Sequence, residues 1–330
     1  MRGSPWNTTR SFAKGCSLRS PRWRRDVAEL RALTDAEYRQ FRDLLKQACG
    51  LWFGDDARFL LEKRLARRIR ELELESFAAY HLLLRKGGGA GDDELAAIID
   101  ELTTNETYFF RERAQLRALI EEIVPERLTQ RSAGPVNVWS AGCSSGEEPY
   151  TIVMMALEAG LRPGYDIRVH ASDISRRCLA KARAGEYREA SFRETPPELR
   201  GRYFKENGGV SVLSQGVRKH VYFTRMNLLE PARFALLGAL DVVLCRNVII
   251  YFDRETKKQV VDGFAERIVP GGYLLLGHSE SLIQVTSAFE LAHLRSDLVY
   301  KKPAKGPAVD PRHGAALAAL RRASGPEGER

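Results

Sequence analysis

"VWSAGCSSGEEPYT", residues 138–151, is the stretch on which the reading of this chain turns. It passes from apolar Val138 and Trp139 through small residues into a helical pattern. Gly142 and Gly146 flank Cys143, Ser144 and Ser145, and Glu147 and Glu148 follow at once. Glycines in a strand-to-helix turn let a ligand approach the backbone, and the first helical turn offers unpaired N–H groups. Phosphates commonly take such groups, but paired carboxylates at that place repel a diphosphate. The G-x-G-x-x-G spacing of dinucleotide folds is also missing, and no G-x4-G-K-[ST] occurs for ATP. A turn of this kind also serves mere tight packing, so its surroundings must carry the argument.

From residue 136 onward, short apolar runs alternate with helical stretches. "VNVWS", "DIRVHAS", "LDVVLC" and "GGYLLLG" are separated by patterns such as "EEPYTIVMMALEAG" and "RETKKQVVDGFAERIV". That alternation predicts an α/β unit built on a doubly wound parallel sheet. Between them, "GVSVLSQGVRKHVYF" holds two alternating runs around Ser-Gln-Gly, which predicts an inserted hairpin. Upstream, from "LTDAEYRQFRDLLKQACG" to about residue 102, apolar residues recur at helical spacing. Thr34 suits the start and Gly50 the stop of the first helix of a small bundle.

The composition, 44% hydrophobic and 29% charged over 330 residues, allows a full core in one or two domains. No run approaches the ~20 apolar residues of a membrane span. Five scattered cysteines without a C-x-x-C pair favour free thiols in a reducing cytoplasm, and the six histidines show no ligand spacing, so no metal is expected. The net charge of +9 is concentrated at the front, where the first 31 residues hold eight basic and two acidic side chains. Residues 1–30 therefore read as a basic, disordered extension and 304–330 as a Pro/Gly-flanked tail.

Ligands of doubly wound sheets bind outside the carboxyl ends of the strands. One such end is the Gly142 loop. A second is Asp173, after "IRVHAS", placed to accept hydrogen bonds from vicinal ribose hydroxyls; a third is Arg246 and Asn247, leaving "LDVVLC". A nucleoside with a cationic centre and no phosphate suits this set, which describes S-adenosylmethionine, with Glu147 toward its cationic side.

The ordered motifs "TTNETYFFRE" (103–112), "WSAGCSSGEEPYTI" (139–152), "ASDIS" (171–175), "NLL" (227–229), "CRNVIIYFD" (245–253) and "GGYLLLGHSESL" (271–282) resemble the successive signatures of the CheR family of chemotaxis glutamate O-methyltransferases. The resemblance covers roughly residues 34–302 and implies a helical domain over 31–102. It also implies a Rossmann-like class I methyltransferase domain over 103–303, with a small antiparallel β-subdomain at about 189–223. Its cofactor is S-adenosylmethionine and its product S-adenosylhomocysteine. The resemblance places Asn105, Thr107, Arg111, Glu147, Asp173, Asn227, Leu228, Arg246 and Asn247 at the cofactor, beside the Gly142 loop. Arg111 and Tyr251 fall near the transferring methyl group.

The chemistry agrees with that implication. A glutamate side chain, with a reference pKa of ~4.3, is already a nucleophile at neutral pH and needs no general base. Orientation is the task, and a guanidinium that grips a carboxylate in bidentate fashion suits Arg111, with the Tyr251 hydroxyl assisting. Cys143 reads as a small buried thiol, and His278 beside Ser279 and Ser281 makes no triad merely by adjacency.

Lys63, Arg64, Arg67 and Arg68 lie on the helix "LEKRLARRIREL" against an apolar stripe of Leu61, Leu65, Ile69 and Leu72. A solvated basic face is the plain reading. The resemblance implies that this face meets the glutamate-rich cytoplasmic helices of methyl-accepting receptors. "KENGGVSVLSQG" is short for a hairpin that docks a receptor's C-terminal pentapeptide, so recognition without that tether is expected. A cytoplasmic monomer with no nucleic-acid partner and no membrane insertion completes the picture. The competing readings are a silent receptor-binding module, which should have lost Arg111 or Tyr251, and an RNA methyltransferase, which should bind RNA through its basic extension.

Overall fold

The computed structural model describes residues 30–130 and 133–304. Both terminal segments singled out above, apart from Leu30 and Ala304 at their inner ends, lie outside the described residues. Four helices form the N-terminal bundle: α1 (Asp35–Cys49), α2 (Arg58–Glu71), α3 (Phe77–Arg85) and α4 (Ala90–Leu102). The start of α1 is a capping box. The Thr34 hydroxyl accepts from the Glu37 N–H, and the Glu37 carboxylate answers the Thr34 N–H. Its end is Gly50 at φ +80°, whose N–H closes on Lys46 O. A side chain at Gly50 would also meet Phe252 and Thr256 at 3.0 Å, so this turn presses on the second domain. Phe41, Leu45, Leu61, Leu65 and Tyr80 fill the bundle core without measurable exposure.

The larger part carries helices α5 (Arg113–Ala118), α6 (Val124–Gln130), α7 (Glu147–Glu158), α8 (Arg176–Ala184), α9 (Pro197–Tyr203), α10 (Gln215–Arg218) and α11 (Arg254–Arg267). Its strands are β1 (Val136–Ala141), β2 (Ile167–Asp173), β3 (Glu186–Tyr187), β4 (Phe204–Asn207), β5 (Val210–Leu213), β6 (Val221–Arg225), β7 (Leu240–Cys245), β8 (Ile268–Leu276), β9 (Glu290–His293) and β10 (Leu298–Lys301). Seven of them form one sheet in the order β6-β2-β1-β7-β8-β10-β9. The pairs β6·β2, β2·β1, β1·β7 and β7·β8 are parallel, and β10 runs antiparallel to both neighbours. The strand order reverses at β1, so the carboxyl ends of β1, β2 and β7 open on one crevice. Trp139 on β1 is wholly buried against Phe234 and Phe264, with ring centroids 4.9 and 5.3 Å away.

One expectation is corrected. The small sheet is β3-β5-β4, and its hairpin turns at Gly208 and Gly209 rather than at Ser-Gln-Gly. Gln215 and Gly216 begin α10, and "VYFTR" crosses to the main sheet as β6, parallel to β2. The turn residues were visible in the sequence, but the alternating run after them pairs with a strand some fifty residues earlier.

Candidate active site

The three informative strand ends converge. After β1 the backbone enters Gly142 at φ +78°, and the N–H groups of Gly142 and Cys143 both donate to Ser172 O, at 2.8 and 2.9 Å. Any Cβ at Gly142 would stand 2.5 Å from Val248, so glycine is required by space as well as by φ. Ser144 then donates its N–H to Asp173 Oδ2 at 2.8 Å, while Asp173 Oδ1 takes the Ser175 N–H at 2.8 Å. Asp173 is buried, faces no cation in an ion pair among the described residues, and is pushed up in pKa by desolvation. An acceptor held by amides alone retains capacity for hydroxyl donors.

These ends line a cavity between the bundle and the sheet that opens to solvent. Asn105, Thr107, Arg111, Gly142, Asp173, Asn227, Leu228, Arg246, Asn247 and Tyr251 all line it. Glu147 does not. It is 2% exposed, and its Oε1 accepts from Ser145 Oγ at 3.1 Å and Ser191 Oγ at 3.0 Å. Its Oε2 is buried with no partner, and desolvation raises its pKa. Glu148 lines the cavity instead. Successive helical residues diverge by ~100°, so a helix entering from Gly146 at φ +92° can aim one acid of a pair at the ligand while the other packs away. Of the two acids, the one that reaches the cavity is Glu148 and not the expected Glu147.

Glu148 belongs to an ionic network built around a buried guanidinium. Its Oε1 accepts from Ser140 Oγ at 2.6 Å and its Oε2 from Arg246 Nη1 at 3.0 Å. Arg246 also donates to Glu112 Oε2 at 3.0 Å and to Arg111 O at 2.6 Å, with only 2% of its side chain exposed. Two carboxylates around one guanidinium leave a negative excess beside a cavity that also holds Asp173. S-adenosylmethionine carries sulfonium, ammonium and carboxylate groups, hence one net positive charge, and a ribose diol. Glu148 and Asp173 fit that donor set; a diphosphate would find like charge there.

Arg111 stands at the cavity differently from Arg246. Its Nη1 donates to Glu106 O at 3.0 Å, its guanidinium lies 5.7 Å from the Tyr108 ring, and it makes no ion pair among the described residues. Glu106 pairs with Arg193 instead. The backbone around Arg111 is held in the left-handed region at Phe110 (φ +64°) and Glu112 (φ +51°), and the cavity residues Ser144 (+49°) and Asn247 (+58°) share that region. Such positions persist where the surrounding structure over-determines them, and here four of the six non-glycine cases among the described residues cluster at one cavity.

The bundle contributes what the sequence did not disclose. Cys49 and Leu51 line the cavity, Leu51 bridges Phe252 as an antiparallel pair, and Trp52 N–H donates to Tyr251 O at 2.9 Å. Asn227 Nδ2 reaches back to Ala48 O at 2.7 Å. A short run after a helix stop, "LWF", was the only available signal. Cys143 is buried with its thiol pushed well up by desolvation, and His278 pairs with Asp297 at 3.1 Å.

On α2 the four basic side chains separate. Lys63 is exposed and makes no ion pair among the described residues. Arg67 reaches Glu71 at 3.0 Å and Glu101 at 2.8 Å, and Arg64 donates to Glu101 O. Arg68 is committed: it binds both oxygens of buried Glu94, at 2.9 and 2.6 Å, and Glu94 also takes the Tyr80 hydroxyl at 2.6 Å. Its expected place in substrate binding is not supported by that geometry, because releasing it would leave a buried carboxylate unpaired.

An S-adenosylmethionine-dependent methyltransferase is the class that the sheet order and the cavity define. The chain belongs to the CheR family. Residues 36–103 match the family's all-alpha domain and 105–298 its S-adenosylmethionine-binding domain. Chemotaxis protein methyltransferase 2 of Vibrio cholerae is 39% identical over 284 residues, covering 86% of this chain and 98% of that one. The chemotaxis protein methyltransferase of Escherichia coli K12 is 36% identical over 279 residues, covering 83% and 93%. Among solved structures, the magnesium protoporphyrin IX methyltransferase of Synechocystis PCC 6803 aligns over 81% of this chain and 95% of that one at 13% identity, with a TM-score of 0.33. No helix among the described residues is long and apolar enough to cross a membrane.

Proposed function

We propose that this enzyme methylates glutamate side chains on the cytoplasmic helical domain of methyl-accepting chemotaxis receptors, forming methyl esters. The observation that carries the reading is Arg111, a guanidinium at the cavity with no carboxylate partner of its own among the described residues. The names of the relatives support a receptor substrate, and the exposed basic side chains of α2 suit an acidic helix.

Bound in the cavity, S-adenosylmethionine supplies an electrophilic methyl group and departs as S-adenosylhomocysteine once its C–S bond breaks. Glu148 takes the ammonium and Asp173 the ribose hydroxyls in this reading. Asn105, Thr107, Asn227, Leu228, Arg246 and Asn247 complete the pocket. Arg111 turns the incoming carboxylate so that one oxygen lies in line with the methyl group, and Tyr251 donates to the other oxygen; its own hydroxyl makes no hydrogen bond among the described residues. No proton moves, because the nucleophile is ionised at neutral pH and the ester product is neutral.

The test is transfer of labelled methyl to receptor cytoplasmic domains of the same organism, followed by mild alkali. Label released as methanol, and a loss of about 10²-fold or more in Arg111→Ala with S-adenosylhomocysteine still bound, is the expected result. Alkali-stable label would move the acceptor to nitrogen and overturn the ester reading.

A further inference from the structure

We infer that Glu280 is a positioning residue for methyl transfer, acting through the segment 246–251 that carries Arg246, Asn247 and Tyr251. The inference rests on the reading of the cavity given above and concerns a side chain that does not line it. Glu280 Oε1 accepts the N–H groups of Val248 at 2.9 Å and Ile250 at 3.2 Å; its Oε2 accepts those of Asn247 at 2.7 Å and Gly277 at 2.7 Å. It makes no ion pair among the described residues. Four amide dipoles therefore hold this carboxylate, against a burial that raises its pKa.

The segment needs such an anchor. The chain leaves β7 through Arg246, turns left-handed at Asn247, and makes one 3-10 turn over Ile249–Tyr251. A turn that short leaves its leading N–H groups without partners of its own, and one remote side chain gathers three of them. The contact is close on both sides: a Cβ at Gly277 would stand 2.6 Å from Asn247 Nδ2 and 2.9 Å from Asn247 N. Arg246 is fixed independently by Glu112 and Glu148, and Asp173 by Ser144 and Ser175. Glu280 thus governs the placement of Tyr251 and Asn247 more than the charge of the cofactor pocket.

A carboxamide cannot replace this carboxylate. It offers one acceptor oxygen, so in either orientation its NH2 confronts two backbone donors, Val248 with Ile250 or Asn247 with Gly277. Aspartate keeps both acceptors on a shorter stem.

The experiment compares wild type, Glu280→Gln and Glu280→Asp in the full chain. The readouts are kcat for methyl transfer, the Kd for S-adenosylhomocysteine by calorimetry, and amide hydrogen exchange over 246–251. In E280Q, kcat should fall about 10²-fold, while Kd, which feels only the displaced Asn247, should rise by about tenfold or less. Amides of Asn247, Val248 and Ile250 should exchange faster while those of β7 keep their protection, and E280D should recover part of the rate. Unchanged rate and exchange in E280Q overturn the assignment. So does a proportionate loss of affinity and rate with exchange accelerated throughout, which marks a merely structural carboxylate. Should E280Q not fold, E280D carries the same comparison, with a reduced kcat and locally faster exchange expected. If the wild type fails to methylate receptor domains, the substrate reading fails on its own, since the exchange and calorimetric readouts need no methyl acceptor.

Discussion

On α2, Arg67 reaches Glu71 and Glu101 at 3.0 and 2.8 Å with 53% of its side chain in solvent. At the cavity, Arg246 reaches Glu112 and Glu148, both at 3.0 Å, with 2% exposed. The distances hardly differ, but the surroundings do. Water and salt screen the first network, so it holds little energy locally, and the exposed Lys63 beside it can steer an approaching partner only where salt is low. In the second the guanidinium is almost shielded from water and the carboxylates are half-buried, so an unmatched charge is costly and a cation entering the cavity is drawn in. One network suits steering and the other binding.

The largest expected effect separates the two directly. Arg246→Ala should lower the unfolding free energy by about 3 kcal/mol, because it takes a buried guanidinium from two half-buried carboxylates, whereas Arg67→Ala should cost about 0–1 kcal/mol. Urea denaturation of both variants checks this, and equal losses would break the comparison.

Next is the acid pair on α7. Glu148→Gln should weaken S-adenosylhomocysteine binding by about 10- to 100-fold, the worth of a charged hydrogen bond, and Glu147→Gln should leave it within about twofold. Calorimetry that ranks them the other way would return the cofactor contact to Glu147. At the exposed network, Lys63→Ala with Arg67→Ala should raise the KM for receptor domains several-fold at low salt, with kcat and S-adenosylhomocysteine affinity unchanged. That difference should shrink above about 0.3 M salt.

The smallest effect is at Glu37, whose carboxyl is brought from its ordinary 4.5 to about 2 chiefly by the hydrogen bond from Arg31 and further by Thr34. Its folded pKa is depressed, so its stabilisation is present above the ordinary carboxylate range and is lost as pH falls toward 2. Glu37→Gln should therefore be less stable than wild type at pH 7, by no more than about 1 kcal/mol given solvent screening of Arg31, and the difference should vanish near pH 2. A pH series of thermal melts reads it.

How far the sequence led follows from which interactions are local. Capping by Thr34 and the stop at Gly50 depend on a few neighbouring residues, and both were legible. So was the alternation of apolar runs with helices, since burial on both faces of a parallel sheet writes itself into each strand. The choice between Glu147 and Glu148 was not, because it depends on helix phase at Gly146. The partner of "VYF" was not, because a parallel pairing is made across the sheet. Glu280 was hidden for a further reason: "GHSES" draws attention to histidine and serine chemistry, while the work of its acid is done on the backbone of a loop some thirty residues away.

The seam formed by Leu51 with Phe252, and by Trp52 with Tyr251, makes the bundle a poor candidate for exchange as a module. A chimaera that grafts a relative's helices onto this sheet must carry residues 49–53 as a unit with 250–253. A junction placed between the two halves of that seam would disturb the cavity wall from both sides, because Leu51, Tyr251 and Phe252 all line it.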